Sequence, residues 1–323
     1  MESGFQFTVE SQGERLDAFL SREAKESREF VQDQVRKGLV FVNGRPTSKN
    51  SLRLRPGDTL SGRFVAPPPM NVEARPGSLD ILFEDDDLLV LNKPQGIAVH
   101  PAPGLRADTL VHYLLHYLRH SEFAQMSEIR PGIVHRLDIG TSGILLVAKH
   151  RHSQDRLAKQ FAERDIQKQY EAIVWGHMGQ LGRFESSIGR HVTDRKRMSS
   201  RTEQGREALT RWERIALVGP CFTHVRLFPH TGRTHQLRVH LTEAGYPIVG
   251  DPLYVRRAAA GLINKLVPDL RTRVQALKYP FLHARRLEFT HPMSGETMAF
   301  EQNAPEVFQS FLETFPRSGT LPA

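Results

Sequence analysis

Residues Ala66-Pro67-Pro68-Pro69-Met70 place three prolines in a row, and neither a helix nor a sheet interior runs through such a stretch. Proline has no N–H to donate, and consecutive prolines hold the chain extended and semi-rigid. The chain is thereby expected to divide into a small unit over 1–65, a proline-containing linker over 66–78 and a larger unit over 79–323. A length of 323 residues favours two domains over one. Hydrophobic residues at 39% and charged residues at 25% suit a soluble globular protein with a sizeable core.

The formal charge is +8 and the isoelectric point near 9.8, which points to a polyanionic partner as readily as to a basic enzyme without one. Cys221 is the single cysteine, so neither an internal disulfide nor a thiolate metal site is expected, and a reducing compartment fits. The opening Met1-Glu2-Ser3-Gly4-Phe5-Gln6-Phe7 has no basic start and no apolar run, unlike a signal peptide. No apolar stretch reaches membrane-spanning length. The expectation is a cytoplasmic protein without a membrane association.

In the first unit, Leu16, Phe19 and Leu20 fall at helical spacing. A second helix is predicted from Ser27 through Phe30, Val31, Gln34 and Val35 to a stop at Gly38. Leu39–Val42 then reads as a strand turning at Asn43-Gly44, a strong hairpin signal, and Pro56-Gly57-Asp58 supplies another turn before Leu60. In the second unit, strands are predicted at 79–83, 88–91, 133–138, 143–149, 169–175, 208–217, 221–228 and 283–290. Helices are predicted at 107–119, 151–164, 234–244 and 305–314. Strands that follow one another directly, with helices interspersed, indicate an α+β fold with a largely antiparallel sheet.

Three segments could carry chemistry. Ile133-Val134-His135-Arg136-Leu137-Asp138-Ile139-Gly140-Thr141-Ser142-Gly143 sets a polar loop between apolar stretches, the usual way to present reactive groups on a rigid scaffold. Asp138 is its only acid, and such a carboxylate serves as nucleophile, general base or loop cap. In His230-Thr231-Gly232-Arg233-Thr234-His235-Gln236-Leu237-Arg238-Val239-His240, Arg233 sits at a strand-to-helix turn. There it would hold a carboxylate ionised or contact a phosphate. In Lys168-Gln169-Tyr170-Glu171-Ala172-Ile173-Val174, Tyr170 is either core or a ring that stacks on a base and offers its hydroxyl. Basic stretches at Arg190–Arg197, Arg201 and Arg206, and at Arg256-Arg257, Arg271 and Arg273, fit either an RNA track or solvated surface.

Other signals lead nowhere. His112, His116 and His120 share a helix face but have no carboxylate in the pattern to complete a zinc site, and the acidic run at 84–87 reads as a turn rather than a Mg²⁺ site. The phosphate loop GxxxxGK[ST], the dinucleotide fingerprint GxGxxG and the nucleophile turn GxSxG are all missing, which disfavours NTPases, dinucleotide enzymes and serine hydrolases. Neither a metal nor a cofactor is expected.

The first unit, over about residues 14–65, resembles the ribosomal protein S4-like RNA-binding domain. It departs at Glu29 and Phe30, where that family usually carries a serine and a basic residue. Arg28, Arg36, Lys37 and Arg45 remain as phosphate contacts. His135-Arg136-Leu137-Asp138 with Thr141-Ser142-Gly143, Gln169-Tyr170-Glu171-Ala172, and Gly232 through His240 resemble the RluA family of pseudouridine synthases. So do Asn92-Lys93-Pro94-Gln95-Gly96 and Val249-Gly250-Asp251-Pro252-Leu253-Tyr254, in the family's order, and with the S4-like unit the arrangement is most similar to the RluD branch. The resemblance implies a pseudouridine synthase fold with a central cleft. It makes Asp138 the catalytic carboxylate, Arg233 its ion-pair partner and Tyr170 the residue that stacks on uracil and assists loss of the C5 proton. Arg136 would fill the gap left by an extruded nucleotide, Leu237 would line the base pocket, and His135 and Thr141 would contact substrate. Arg195, Lys196 and Arg197 would track the RNA with Arg28, Arg36 and Lys37. Asp138 has three routes open: attack at C6, addition at C1′, or a glycal. The expected function is isomerisation of uridines in structured RNA by a monomer, most naturally in large-subunit ribosomal RNA. Transfer RNA is the rival substrate, and a non-catalytic RNA-binding or ribosome-assembly protein is the rival class.

Overall fold

The computed structural model describes residues 2–10, 13–26, 28–65, 72–101, 107–121, 123, 132–194, 196–202, 204–255 and 259–315. The proline run, Ser27, Arg195 and the Arg256-Arg257 pair lie outside the described residues. The chain forms two units, Met1–Met70 and Asn71–Ala323.

In the first unit β1 (Glu2–Thr8) precedes α1 (Leu16–Glu23), α2 (Arg28–Arg36), β2 (Val40–Val42), β3 (Arg45–Pro46) and β4 (Thr59–Val65). The sheet order is β1-β4-β2-β3. Leu16, Phe19 and Leu20 from α1 and Val31 and Val35 from α2 are buried against Val40, Leu60 and Phe64. Asn43 and Gly44 both take positive φ, 52° and 74°, as a tight hairpin turn between paired Val42 and Arg45 requires. Strand β1 adds to the elements predicted from the sequence. Phe30, where a phosphate contact is absent, packs against Phe64 with ring centroids 5.4 Å apart.

The second unit holds β5 (Ile81–Glu84), β6 (Leu88–Lys93), α3 (Leu110–Tyr117), β7 (Ser142–Ala148), α4 (Arg151–Glu163), β8 (Gln167–Trp175), β9 (Leu181–Arg190) and β10 (Met198–Ser199). These are followed by β11 (Arg206–Val218), β12 (Phe222–Pro229), α5 (Gln236–Glu243), α6 (Ala260–Ile263), α7 (Pro268–Gln275), β13 (Leu282–Thr290), β14 (Thr297–Glu301) and α8 (Glu306–Glu313). One sheet runs β10-β9-β11-β12-β8-β13-β7-β6-β5, with β14 also on β13. Among the described residues every pairing is antiparallel except β13 with β7. The fold is therefore α+β on a largely antiparallel sheet, as the pattern predicts.

Strands β6 and β7 are covered on both faces. Leu89, Leu91, Leu145 and Val147 pack with Leu110, Val111 and Leu114 of α3, whereas Leu88, Val90, Ile144 and Leu146 pack with Leu157 of α4. Both alternating sets are apolar because neither face meets water.

The strand predicted at 133–138 does not form. The segment instead lies along the edge of β7 that β13 leaves open. Ile133 makes one bridge to Val147, Ala148 donates to the Gly132 carbonyl at 2.8 Å, and the Leu146 N–H is taken by His135 Nε2 at 2.9 Å. A side chain has replaced a ladder partner, which frees the following backbone to turn. Strand β9 is not among the predicted strands, because its glycines, serines and charges give a mostly exposed alternation without an apolar period.

Candidate active site

The turn Asp138-Ile139-Gly140-Thr141 delivers the chain into β7 and is closed by the Thr141 N–H on the Asp138 carbonyl at 3.0 Å. Immediately after it, Gly143 takes φ +111°, and a Cβ there would meet the Ala284 carbonyl oxygen of β13 at 2.3 Å. The crossing of β7 and β13 is closed to any larger residue, so the turn that carries Asp138 is anchored by backbone packing.

Asp138 opens onto a cleft of about 560 Å³. Its walls include Arg136, Thr141, Tyr170, Arg233, His235 and Leu237, drawn from the loop before β7, from β8, from the β12–α5 connection and from α5. All the residues expected from the sequence to surround a uracil therefore face one space. Two of them mainly hold structure. Thr141 is buried in the turn, and His135, stacked on Phe161 at 4.6 Å, is spent on the Leu146 N–H. Burial pushes the His135 imidazole down to about 3, and the charge on Lys168 adds to it.

The expected ion pair between Asp138 and Arg233 is not formed. Arg238 makes it instead: Nη1 donates to Asp138 Oδ2 at 3.2 Å, while Nε and Nη2 grip Asp251 at 2.7 and 2.9 Å. Arg233 turns the other way and donates from Nε to the Glu207 carbonyl at 3.0 Å. The reason is helical geometry. Arg233 precedes α5, whereas Arg238 lies within it, on a face buried to 7% exposure and directed at Asp138. Burial opposes the Arg238 charge, but hydrogen bonds and charge from Asp251 and then Asp138 raise its pKa further above the ordinary arginine value. Asp251 is itself fixed by the backbone N–H groups of Leu253 and Tyr254, at 2.9 and 3.1 Å, and the Tyr254 ring lies 5.0 Å under the guanidinium.

Other residues complete the surroundings of Asp138. His235, a non-glycine residue at φ +56°, places Nε2 3.9 Å from Asp138 Oδ2 and Nδ1 3.0 Å from the Tyr254 hydroxyl. Backbone strain of this kind is typical of functional sites. Lys93, fully buried at the end of β6, donates to the carbonyls of Pro94 and Ile97 at 2.8 and 2.9 Å. Burial lowers its amine to about 8, against the pull of the nearby Asp138 charge. The Tyr170 hydroxyl is pushed the other way, upward, by burial and then by Asp138. It is a protonated phenol beside a carboxylate. The clue to Arg238 in the sequence is its place among Leu237, Val239 and Leu241 in a short helix, where a buried guanidinium needs acids to pair with.

The expected RNA contacts fare unevenly. Arg28 is committed to buried Asp17 at 3.1 Å, and Arg36 and Lys37 both lie by Asp33, at 3.8 and 2.7 Å. Lys196 is exposed. Arg197 stacks over Tyr254 at 5.1 Å, and Arg195 lies outside the described residues.

Among the described residues Asp85, Asp87 and His291 bring ligand-type atoms within 4.8 Å of one another. The hydrogen bonds argue against a metal there. His291 Nδ1 accepts from the N–H groups of Met293 and Ser294 at 3.3 and 3.0 Å. The proton of the neutral ring is thus on Nε2, facing Asp85 at 3.0 Å, and no lone pair remains for a cation. On the histidine face of α3, His112 closes a capping box with Thr109 rather than pointing to a ligand.

The family model described as RNA pseudouridylate synthase matches residues 87–243, and the S4 domain model matches residues 14–60. A protein of Aquifex aeolicus named uncharacterized RNA pseudouridine synthase is 38% identical over 94% of this chain and 95% of its own length. The ribosomal large subunit pseudouridine synthase D of Vibrio vulnificus is 36% identical over 94% of this chain and 92% of its own. Among solved structures, human RNA pseudouridylate synthase domain containing 1 superposes with a TM-score of 0.56 at 27% identity. That match covers 77% of this chain and 94% of the other.

Proposed function

The chain belongs to the RNA pseudouridine synthase family, enzymes that isomerise uridine to pseudouridine in RNA, and from that premise we propose that Asp138 is its catalytic carboxylate. The observation that carries the assignment is the 3.2 Å contact between Asp138 and Arg238 in a cleft lined by Tyr170 and Leu237. Pseudouridine formation breaks the N1–C1′ bond, turns the uracil and joins C5 to C1′. The C5 proton leaves and N1 recovers one, so no net redox change occurs and no cofactor is called for.

A uridine within folded RNA must first leave its stack, at a cost of about a few kcal/mol. The exposed Arg136 at the rim replaces it there, while Leu237 and Tyr170 enclose the ring. Asp138 acts on the glycosidic carbon or the ring, with Arg238 and the Lys93 ammonium balancing its charge as bonds change. The raised pKa of Tyr170 makes its hydroxyl a poor base by itself. It works as a stacking wall and a relay, taking the C5 proton only as it passes its own onward.

The substrate in this reading is large-subunit ribosomal RNA. Support comes from the large-subunit names of relatives such as that of Vibrio vulnificus, together with the S4 match. Residues 1–65 anchor RNA, 66–78 connect and 79–323 carry the chemistry, in a cytoplasmic monomer. Among the described residues no helix is long and apolar enough to cross a membrane.

Asp138→Asn tests the assignment. The amide keeps the shape of the side chain and loses its charge, so the variant should fold and bind RNA while pseudouridine formation falls by ~10²–10⁴-fold or more. Turnover near the wild-type rate would refute the role. Mapping pseudouridine in ribosomal and transfer RNA from cells with and without the protein tests the substrate.

A further inference from the structure

The flank of the cleft beyond Tyr170 carries four cations among neutral residues such as Phe161, Ala162 and Thr231. Arg164 is the C-cap of α4, Lys168 is the second residue of β8, Arg206 begins β11 and Arg233 lies in the β12–α5 connection, and all four line the same cleft as Asp138. Four separate elements thus converge there with one sign of charge. None of the four has a carboxylate oxygen within 4.0 Å among the described residues. Elsewhere in the chain arginines pair readily, as with Arg286, Glu288 and Glu301.

We propose that Arg164, Lys168, Arg206 and Arg233 form an anion site that receives a backbone phosphate adjoining the target uridine. The proposal rests on the reading of Asp138 as the centre of an RNA-modifying site. Lys168 stands two residues before Tyr170 on β8, on the same face, which separates them by roughly 6.7 Å along the strand. A base stacked on Tyr170 therefore has a cation about one nucleotide's reach away. Arg164 adopts φ +68° at the α4 C-cap, so the chain reversal into β8 sets its side chain at the mouth of the cleft. Arg233 is held by the Glu207 carbonyl through Nε, leaving both terminal nitrogens for a phosphate fork.

The free protein bears a cost for this arrangement. Burial, then Arg164, lowers the Lys168 amine; burial, then Arg206 and Arg164, lowers Arg233 against the weaker opposing charge of Glu207. Cations that weaken one another in the unliganded fold are relieved when an anion arrives between them.

The test is a binding cycle. One partner is the full-length protein or its Arg164→Asn/Lys168→Gln variant; asparagine tolerates the left-handed backbone at 164. The other is a synthetic hairpin RNA with a single loop uridine, whose 5′ or 3′ phosphate is native or replaced by a neutral methylphosphonate. On one side of the uridine, neutralisation should weaken wild-type binding by about tenfold or more, the scale of a lost charge-assisted contact. The same change should alter binding to the double variant less than about twofold. Without RNA, the variant should melt no lower than the wild type, because a repulsion has been removed. If the double variant does not fold, Arg164→Asn with Arg206→Gln, both at exposed positions, takes its place. Equal responses of wild type and variant to the neutral phosphate, or a wild type indifferent to both, would overturn the site. Pseudouridine formation is scored separately. Coupling without pseudouridine would leave the phosphate site standing and remove the functional reading, and pseudouridine without coupling would do the reverse.

Discussion

Arg238 uses three nitrogens at once, two on Asp251 and one on Asp138, and only a planar guanidinium spans both acids. Arg238→Lys should therefore release Asp138, lowering the single-turnover rate at saturating RNA by about 100-fold or more. Arg233→Lys should act mainly on affinity for RNA. Comparable rate losses in both would contradict the assignment of the ion pair. His135 offers a test through pH. Its folded pKa of about 3 lies below the unfolded value of 6.5, so below pH 6.5 the unfolded chain takes up a proton that the folded one refuses. Stability should fall as pH drops through that window, until about pH 3. His135→Gln keeps an acceptor for the Leu146 N–H without the titration. Urea unfolding at pH 7 and pH 4.5 should show the wild type losing about 2–3 kcal/mol more than the variant. Equal losses would show that His135 takes up its proton in the folded state.

At the scale of elements, the site hangs on the contact between β7 and β13, the one parallel pairing among the described residues. All seven residues of β7 are buried, and Gly143 sits against the Ala284 backbone with no room for a Cβ. Gly143→Ala combines a forbidden φ with a backbone collision, and should lower stability by at least about 3 kcal/mol. Gly261→Ala in α6, where a Cβ meets nothing within 4 Å, should instead leave stability unchanged or raise it by roughly 0.5–1 kcal/mol. Thermal unfolding of the two variants side by side decides whether the crossing is the constraint.

At the scale of the molecule, each unit has a core of its own. The cluster of Leu16, Leu20, Val35 and Leu60 lies wholly in the first, and that around Trp175, Phe222 and Phe281 wholly in the second. A chain of residues 71–323 retains Asp138, Tyr170, Arg238 and Asp251. It should keep its rate at saturating RNA while its affinity falls, because a tethered second binding surface acts through effective concentration. The salt dependence of binding should also become shallower as fewer phosphates are neutralised. Arg28, Arg36 and Lys37 already face Asp17 and Asp33, so the loss should be modest. A truncated protein with the full chain's affinity and salt slope would remove the first unit from RNA binding.

Much of this was legible in the order of residues. Apolar periods marked β6, β7, β8, α4 and α5, because burial on one or two faces leaves a local pattern. The Asn43-Gly44 turn was visible because few residue pairs accept its backbone angles. The loop around Asp138 stood out as polar groups between apolar runs. What local pattern did not contain was the choice between Arg233 and Arg238. Both arginines are five residues apart in one motif, and which of them meets Asp138 depends on where α5 begins and which way its face turns. The strand expected at 133–138 does not form for a related reason: the His135 side chain takes the Leu146 N–H that a strand would pair through its backbone. Nor does the chain order reveal that Arg164, Lys168, Arg206 and Arg233, spread over 70 positions, share one wall. Periodicity reports how a segment meets its own solvent and core, whereas ion pairs and charge clusters are set by separate segments brought together, and only the folded sheet brings them.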